Sequence, residues 1–370
     1  MRILIVNHRD WLNPRAGGVE EVLYQTATRW VAGGHGVRLL ASDFVGSSAR
    51  QLTVDGVAVT RCAREEVFNW VAPWYVRRWG GDVDVIVEHI SKVAGMLPWY
   101  TRRPVVGYVH HLFGRTIFET MLWPVAAYVV AMEKVAMRVY RRCLFITVSE
   151  STAQDVVANG IPAANLRVVY NGVDLAHFRP GPAGSKTVQP SVLWVGRVRK
   201  TKCVTHVVDA FEIIARRLPA ATLMIVGQGD FEGELRRIIA SKNLQDRVTM
   251  TGYLDADRLR DEMQRAWVLA YPSPKEGWGL CVTEAAACGT PTVASNSPGL
   301  CESVRDGETG FLVRHGDIAG FAEKLLLLLT TDSLRQRMSA AAVKQANHLT
   351  WDETARRALD VLHEAVKRNP

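Results

Sequence analysis

Glu276 and Glu284 stand eight positions apart and bracket the stretch Glu-Gly-Trp-Gly-Leu-Cys-Val-Thr-Glu. A glycine-rich turn follows the first at once, and Leu280 to Cys288 reads as a helix stopped by Gly289 and Pro291. A polar segment, Tyr271-Pro-Ser-Pro-Lys275, leads in. Glycines let a ligand approach the backbone closely. A helix opening at such a turn directs unpaired N–H groups and a partial positive charge at whatever sits there, which suits an anion. Glu276 then stands at the mouth of the turn, and Glu284 about one turn into the helix. Carboxylates are poor partners for phosphate but accept hydrogen bonds from vicinal hydroxyls. A ligand with hydroxyls on both sides of its phosphates reconciles the two features, and a sugar joined through diphosphate to a ribose is such a ligand.

The segment Pro272 to Ser295, with Glu-Gly-Trp-Gly-Leu ahead of Ala-Cys-Gly-Thr-Pro-Thr-Val-Ala-Ser, resembles the E-x7-E signature of the retaining glycosyltransferases of family 4, whose fold is GT-B. The resemblance implies that Glu276 contacts the donor sugar and Glu284 the ribose. It also implies that the amides of Gly277, Trp278, Gly279 and Leu280 approach sugar and diphosphate.

Further stretches carry the same resemblance. Val195-Gly-Arg197-Val-Arg-Lys-Thr-Lys202 follows a strand, where a diphosphate would dock. Arg can fork onto phosphate oxygens and Lys can act as a point charge, and the family carries Arg and Lys at the positions of Arg197 and Lys202. The next residue is usually Gly in the family but Cys203 here. A residue with a Cβ does not freely take positive φ, so the local backbone is expected to differ, and Arg199 and Lys200 stay open as phosphate contacts. Val226-Gly227-Gln-Gly-Asp230 resembles the family's glycine turn beside the nucleotide base; read alone it is equally a tight turn without ligand. It is no dinucleotide fingerprint, because Gly233 comes one residue late. Gly17-Gly18 opens the first helix and resembles the family's loop near diphosphate and acceptor, although a double glycine there is most often just a turn. His110 ends a strand, where cleft residues belong, and the resemblance places it near the donor sugar, supporting the charge that develops during transfer. His111 matches a variable position.

Apolar strand runs alternate with amphipathic helical runs, which argues for parallel α/β architecture. The strands Ile3–Val6, Val37–Ala41, Val85–Glu88, Val105–His110 and Leu144–Val148 form a first set. The pattern restarts near Ser191 with Val192-Leu-Trp-Val, then Ala221–Gly227, Val248–Met250 and Val268–Tyr271. Arg179 to Lys186 is a linker by composition. The expected organisation is GT-B, with two Rossmann-like doubly wound domains at 1–178 and 188–350 facing across a cleft, and a final helix at about 351–370 packing back on the first.

Composition narrows the remaining classes. The 370 residues suit two domains, and 48% hydrophobic with 22% charged residues suits a globular protein. The start Met1-Arg-Ile-Leu-Ile-Val reads as a strand and not a signal peptide. The longest apolar run, Met121 to Met132, is too short to span a bilayer and contains Pro124. Six cysteines without disulfide-type or metal-type spacing read as reduced thiols. A net charge of +8 favours an anionic partner, but no nucleic-acid module is visible. The triplets Asp82-Val-Asp84 and Asp255-Ala-Asp257 could hold a divalent ion, yet the second reads better as a helix cap. No metal and no cofactor is expected, since Arg197, Lys202 and a helix start can neutralise a leaving diphosphate. Aromatic-basic clusters at Trp74–Trp79, Trp99–Arg103 and Val139–Arg142 suit an anionic membrane surface or ordinary core packing. Lys134, Arg138, Arg141 and Arg142 would share one face of a basic helix.

The function implied is retaining transfer of a sugar from a nucleoside-diphosphate sugar, UDP favoured over GDP, to an acceptor hydroxyl on a lipid-linked or other glycan. The enzyme would be cytoplasmic, peripheral on the inner membrane face. No covalent nucleophile is evident, so front-face displacement is the expected route. The alternatives are a nucleotide-sugar epimerase or hydrolase, and a non-catalytic nucleotide-sugar sensor.

Overall fold

Short runs of Val, Ile and Leu form the central strands because both of their faces are covered, as parallel sheets require; every residue of Ser191–Val195 and of Val85–Ile90 is buried. The computed structural model describes every residue except Ser48, Lys92, Phe113, Thr120, Met121 and Pro370, and omits the side chains of Arg115, Thr116 and Glu119. Met121, the first residue of the longest apolar run, therefore lies outside the described residues.

The chain divides into two units, Met1–Gly172 with Trp351–Pro370, and Val173–Thr350. The first contains β1 (Arg2–Val6), α1 (Gly18–Ala32), β2 (Gly36–Asp43), β3 (Gln51–Val54), β4 (Val57–Arg64), α2 (Phe68–Trp79), β5 (Val85–Ile90), β6 (Val105–Val109), α3 (Trp123–Val139), β7 (Leu144–Thr147), α4 (Glu150–Ala158) and β8 (Leu166–Val168). The second contains β9 (Ser191–Val195), α5 (Val204–Arg217), β10 (Thr222–Val226), α6 (Glu232–Ser241), β11 (Val248–Gly252), α7 (Ala256–Arg265), β12 (Val268–Tyr271), α8 (Leu280–Ala287), β13 (Thr292–Ser295), α9 (Leu300–Ser303), β14 (Gly310–Val313), α10 (Ile318–Thr330) and α11 (Asp332–Ala346). The last helix, α12 (Trp351–Arg368), belongs to the first unit.

Among the described residues the first sheet runs β3-β4-β2-β1-β5-β6-β7-β8 and the second β11-β10-β9-β12-β13-β14. All pairings are parallel except β3 with β4. That edge hairpin has no counterpart in the strands expected from sequence. Its signal is Asp55-Gly56, both at positive φ (48° and 81°), the pair a two-residue hairpin turn favours.

Helices cover the sheets by the 3.6-residue rule. In α5, Val204, Val207, Val208, Phe211 and Ile214 are buried together against the second sheet's core. In α12, Trp351, Ala355, Ala358, Leu362 and Ala365 are buried on one stripe. The indole Nε1 of Trp30 on α1 donates to the Ala355 carbonyl at 2.9 Å, and Arg167 forks onto Glu364.

Residues 173–178, expected in the first domain, fall in the second unit. Val173 N–H donates to the Leu349 carbonyl at 2.9 Å, and Phe178 packs on the second core. The basic helical face expected through Arg142 also ends early, because α3 stops at Val139. Tyr140 is fully buried and its hydroxyl reaches Glu88, which draws the chain inward and leaves Arg141 and Arg142 beyond the helix.

Candidate functional site

In the second sheet the strand order turns back between β9 and β12. Open α/β sheets place ligands at the carboxyl ends of strands at such a switch point. The two connections that leave there, residues 196–203 after β9 and 272–279 after β12, carry Arg197, Lys202 and Glu276.

The structure brings two of these together. Lys202 Nζ lies 2.5 Å from Glu276 Oε1, with the side chains 29% and 13% exposed. The Tyr271 hydroxyl donates to the same carboxylate oxygen at 3.2 Å. Burial, reinforced by Cys281 and Glu276, pushes the Tyr271 phenol well above its ordinary value, so it remains a donor. Cation and carboxylate form a charge-assisted hydrogen bond, stronger than its neutral counterpart. Arg197 is half-buried in the same connection, while Arg199 and Lys200 are exposed.

The backbone explains the convergence. Gly196 N–H donates to the Val226 carbonyl and Val198 N–H to the Gln228 carbonyl, lacing the turn after β9 to the turn after β10. Gly227 makes this approach feasible: its φ is 127°, and a Cβ there would stand 1.9 Å from the Gly196 oxygen. The Lys200–Lys202 turn then passes into Cys203, whose φ of 50° and ψ of 35° are left-handed. The expected departure of the backbone at this position is thus not found. The cysteine adopts the glycine-like conformation, at a cost of about 1–2 kcal/mol.

On the other connection, Glu276 N–H is fixed by the Pro298 carbonyl at 3.1 Å. Trp278 is buried at 4% exposure, and Gly279 at φ 92° caps α8. Gly279 has no side chain to accept from the first-turn amides, so α8 opens with Leu280 beside the buried Trp278 and without a side-chain cap. Gly277 and Leu280 are half-buried. Glu284 lies five residues into α8 and is half-buried. Burial raises the Cys281 and Cys288 thiols, and the Glu284 charge reinforces both, which places the carboxylate between them along the helix.

Gly17, Gly18 and His110 belong to the first unit. Gly17 is extended (φ −155°), a conformation any residue adopts, and its N–H donates to Glu20 Oε2 at 2.7 Å. The Gly17 amide is therefore engaged by its own helix's third residue. His110 follows the carboxyl end of β6 and is 7% exposed. Its Nε2 lies 3.0 Å from Nδ1 of His89, and the Tyr108 and His110 rings stack at 4.9 Å and 4°. Burial, helped by His89 and His111, drives the His110 imidazole well below its ordinary value. It is neutral at pH 7, a dipole and not a cation. His89 escapes sequence reasoning because it reads as one more strand residue.

A second buried network lies beside it in sequence. Glu88 accepts from the Tyr140 hydroxyl and, at 2.5 Å, from Gly95 N–H. Burial raises its carboxyl from 4.5 to about 7 despite both donors. A raised folded value stabilises the native state fully below pH 4.5 and loses that contribution as pH rises through 7, a span of about 3 kcal/mol. His89 (lowered to about 3) and His110 act in the opposite sense. A difference measurement isolates Glu88. The stability of Glu88→Gln relative to the parent is expected to increase from pH 5 to pH 8 in urea titrations. An equal difference at both pH values refutes the assignment.

Three of the four triplet aspartates have protein partners. Asp84 accepts from Arg2 N–H at 2.7 Å, Asp255 caps α7 through Arg258 N–H at 2.9 Å, and Asp257 pairs with Arg260. None of the six cysteines is in a disulfide. Among the described residues, no helix is long and apolar enough to cross a membrane.

With this geometry in place, likeness to known proteins is informative. A family described as Glycosyltransferase Family 4 matches residues 16–177, and one described as Glycosyl transferases group 1 matches residues 180–345. A D-inositol 3-phosphate glycosyltransferase of Xylanimonas cellulosilytica is 33% identical over 237 residues, covering 59% of this chain and 56% of that protein. The chain thus spans about half the length of the curated relatives it matches. Among solved structures, Anabaena HepE in complex with UDP and glucose superposes with a TM-score of 0.81 at 19% identity, covering 98% of this chain and 100% of that one. The sucrose-phosphate synthase of Thermosynechococcus elongatus superposes with a TM-score of 0.81 at 21% identity, covering 98% of each. These likenesses bear out the GT-B fold expected from the sequence.

Proposed function

The chain belongs to the family 4 glycosyltransferases, and from that premise we propose that it moves a sugar from a nucleoside-diphosphate sugar to an acceptor hydroxyl with retention at the anomeric carbon. The observation that carries this reading is the meeting of Lys202 with Glu276 at the switch point of the second sheet. One group suits a phosphate and the other suits sugar hydroxyls.

In the proposed complex, Arg197, Lys202 and the amides of Gly277 to Leu280 take the diphosphate and stabilise the charge that develops as it departs. Glu276 exchanges Lys202 for the hydroxyls of the transferred sugar. Glu284 receives the ribose hydroxyls, and the Gly227 turn lies beside the base. His110, held neutral, is assigned a dipole that supports the developing charge. Two cations and a helix N-terminus are enough to offset the leaving group, so the transfer step is assigned no metal. The acceptor hydroxyl attacks from the side the diphosphate leaves, since no side chain is assigned as a covalent nucleophile. UDP is favoured as the carrier; the HepE complexes with UDP and with UDP-glucose support that choice.

The acceptor is proposed to be lipid-linked or another glycan, met by a cytoplasmic enzyme at an anionic membrane face. Exposed Trp70, Trp74, Trp99 and Trp123 in the first unit support this, as does a groove of about 830 Å³ lined by Trp99, Arg138, Arg141 and Arg142. Sedimentation with anionic vesicles at low salt, abolished at high salt, is the expected behaviour. Binding indifferent to lipid charge counts against it.

The deciding experiment is product analysis with UDP-sugars and GDP-sugars, with and without a panel of acceptors. Glycosylated acceptor and free nucleoside diphosphate are expected. Free sugar or an epimerised donor in the absence of acceptor would make the protein a hydrolase or epimerase, and tight donor binding without turnover would make it a sensor.

A further inference from the structure

We infer that Cys203, His206 and His315 form a binding site for a thiophilic divalent metal ion, with Zn²⁺ as the natural occupant. One ligand atom from each residue, the thiol sulfur and one nitrogen of either imidazole, lies within 4.8 Å of the other two, and all three side chains are half-buried. In a tetrahedral zinc site with bonds of about 2.0–2.3 Å the donors are roughly 3.4–3.8 Å apart. A rotamer adjustment of about 1 Å would therefore close the set. One sulfur and two imidazole nitrogens are soft-to-borderline donors, which select zinc over magnesium or manganese. A water would complete the fourth position.

The scaffold holds each ligand at a fixed point. Cys203 caps α5, and His206 is three residues on, so the two project from one side of the first turn. His206 N–H donates to the Cys203 carbonyl at 2.9 Å. His315 sits in the turn between β14 and α10, which is closed by a hydrogen bond from Asp317 N–H to the Arg314 carbonyl at 3.0 Å. Ser295 Oγ lies 3.2 Å from His315 Nδ1, a contact of the kind that orients a ligating imidazole through its other nitrogen. The ring centres of His206 and His315 lie 5.3 Å apart, with the rings tilted by 39°.

A second observation concerns the backbone. Cys203 holds a left-handed conformation that glycine would adopt without strain. Strained positions persist where the surroundings over-determine them, and a metal-ligating thiol would be such a reason. On binding, the Cys203 thiol gives its proton to solvent, one S–Zn and two N–Zn bonds form, and no oxidation state changes. Because Cys203 directly follows Lys202, an ion here immobilises the turn that presents the ammonium. The inference rests on none of the donor-site assignments, and its readouts do not involve transfer activity.

The test uses the full chain, stripped with a chelator and titrated with Co²⁺ as a spectroscopic stand-in for Zn²⁺. One equivalent is expected to produce a thiolate-to-cobalt charge-transfer band and the visible bands of a tetrahedral ion, both abolished by one equivalent of Zn²⁺. Mg²⁺ and Mn²⁺ should not compete. Cys203→Gly should stay folded by circular dichroism and melt higher than the metal-free parent, because the glycine relieves the left-handed backbone. It should lose the charge-transfer band and bind Zn²⁺ about 100-fold more weakly, and His206→Ala and His315→Ala each about 10- to 100-fold more weakly. No tetrahedral spectrum in the parent, or an unchanged spectrum and affinity in Cys203→Gly, overturns the site.

Discussion

Replacing Lys202 by alanine is expected to lower kcat by about 10²- to 10³-fold, the usual loss when one preorganised group facing transition-state charge is removed. The ammonium is positioned before donor arrives: its turn is fixed by Lys202 N–H donating to the Arg199 carbonyl at 3.0 Å and by the left-handed Cys203. Negative charge on the diphosphate grows as the glycosidic bond breaks, so the interaction strengthens towards the transition state. Glu284→Ala should behave differently. A ribose contact made equally in ground and transition states raises the donor KM, by about tenfold for one charge-assisted hydrogen bond, and leaves kcat near the parent. Steady-state kinetics with the donor identified by product analysis separates the two. Variants that both transfer sugar normally would remove Lys202 and Glu284 from the site.

The second large effect concerns stability. Gly227→Ala is expected to destabilise the second unit by about 3–4 kcal/mol, lowering its melting temperature by roughly 10 °C. The new methyl would sit 1.9 Å from the Gly196 oxygen and 2.9 Å from its carbonyl carbon, both backbone atoms, at a φ of 127°. Neither partner can rotate away, because Gly196 N–H and Gly227 N–H are both committed to the sheet, to Val226 and Gly252 respectively. Gly233, near the start of α6, is the control: a Cβ there meets nothing within 4 Å, and alanine favours a helix. Scanning calorimetry of both variants reads the contrast. Equal melting of Gly227→Ala and the parent would show that the two turns are not laced as described.

Much of this architecture was readable from the chain because its signals are local. Strand runs, helix stops and the glycine turn at Glu276 each lie within a dozen residues, so periodicity and turn chemistry locate them. What stayed hidden depends on partners distant in sequence. The His89–His110 contact joins two strands paired in parallel, and nothing near either residue announces it. Tyr140 reads as one more aromatic among arginines, yet it is core, because its hydroxyl finds Glu88 52 positions away. The left-handed Cys203 contradicts local preference, so nothing in the neighbouring sequence announces it. His315 joins Cys203 and His206 from the far side of the sheet order, so no spacing rule brings the three together.

The placement of α12 in the first unit has a consequence for synthesis on the ribosome. Residues 173–350 form an uninterrupted stretch and can close their core as soon as they emerge. The unit that begins first must wait: the partner of the Trp30 indole, Ala355, is translated only after the whole of the other unit. In the nascent protein the second unit can therefore be complete before the first has all of its contacts.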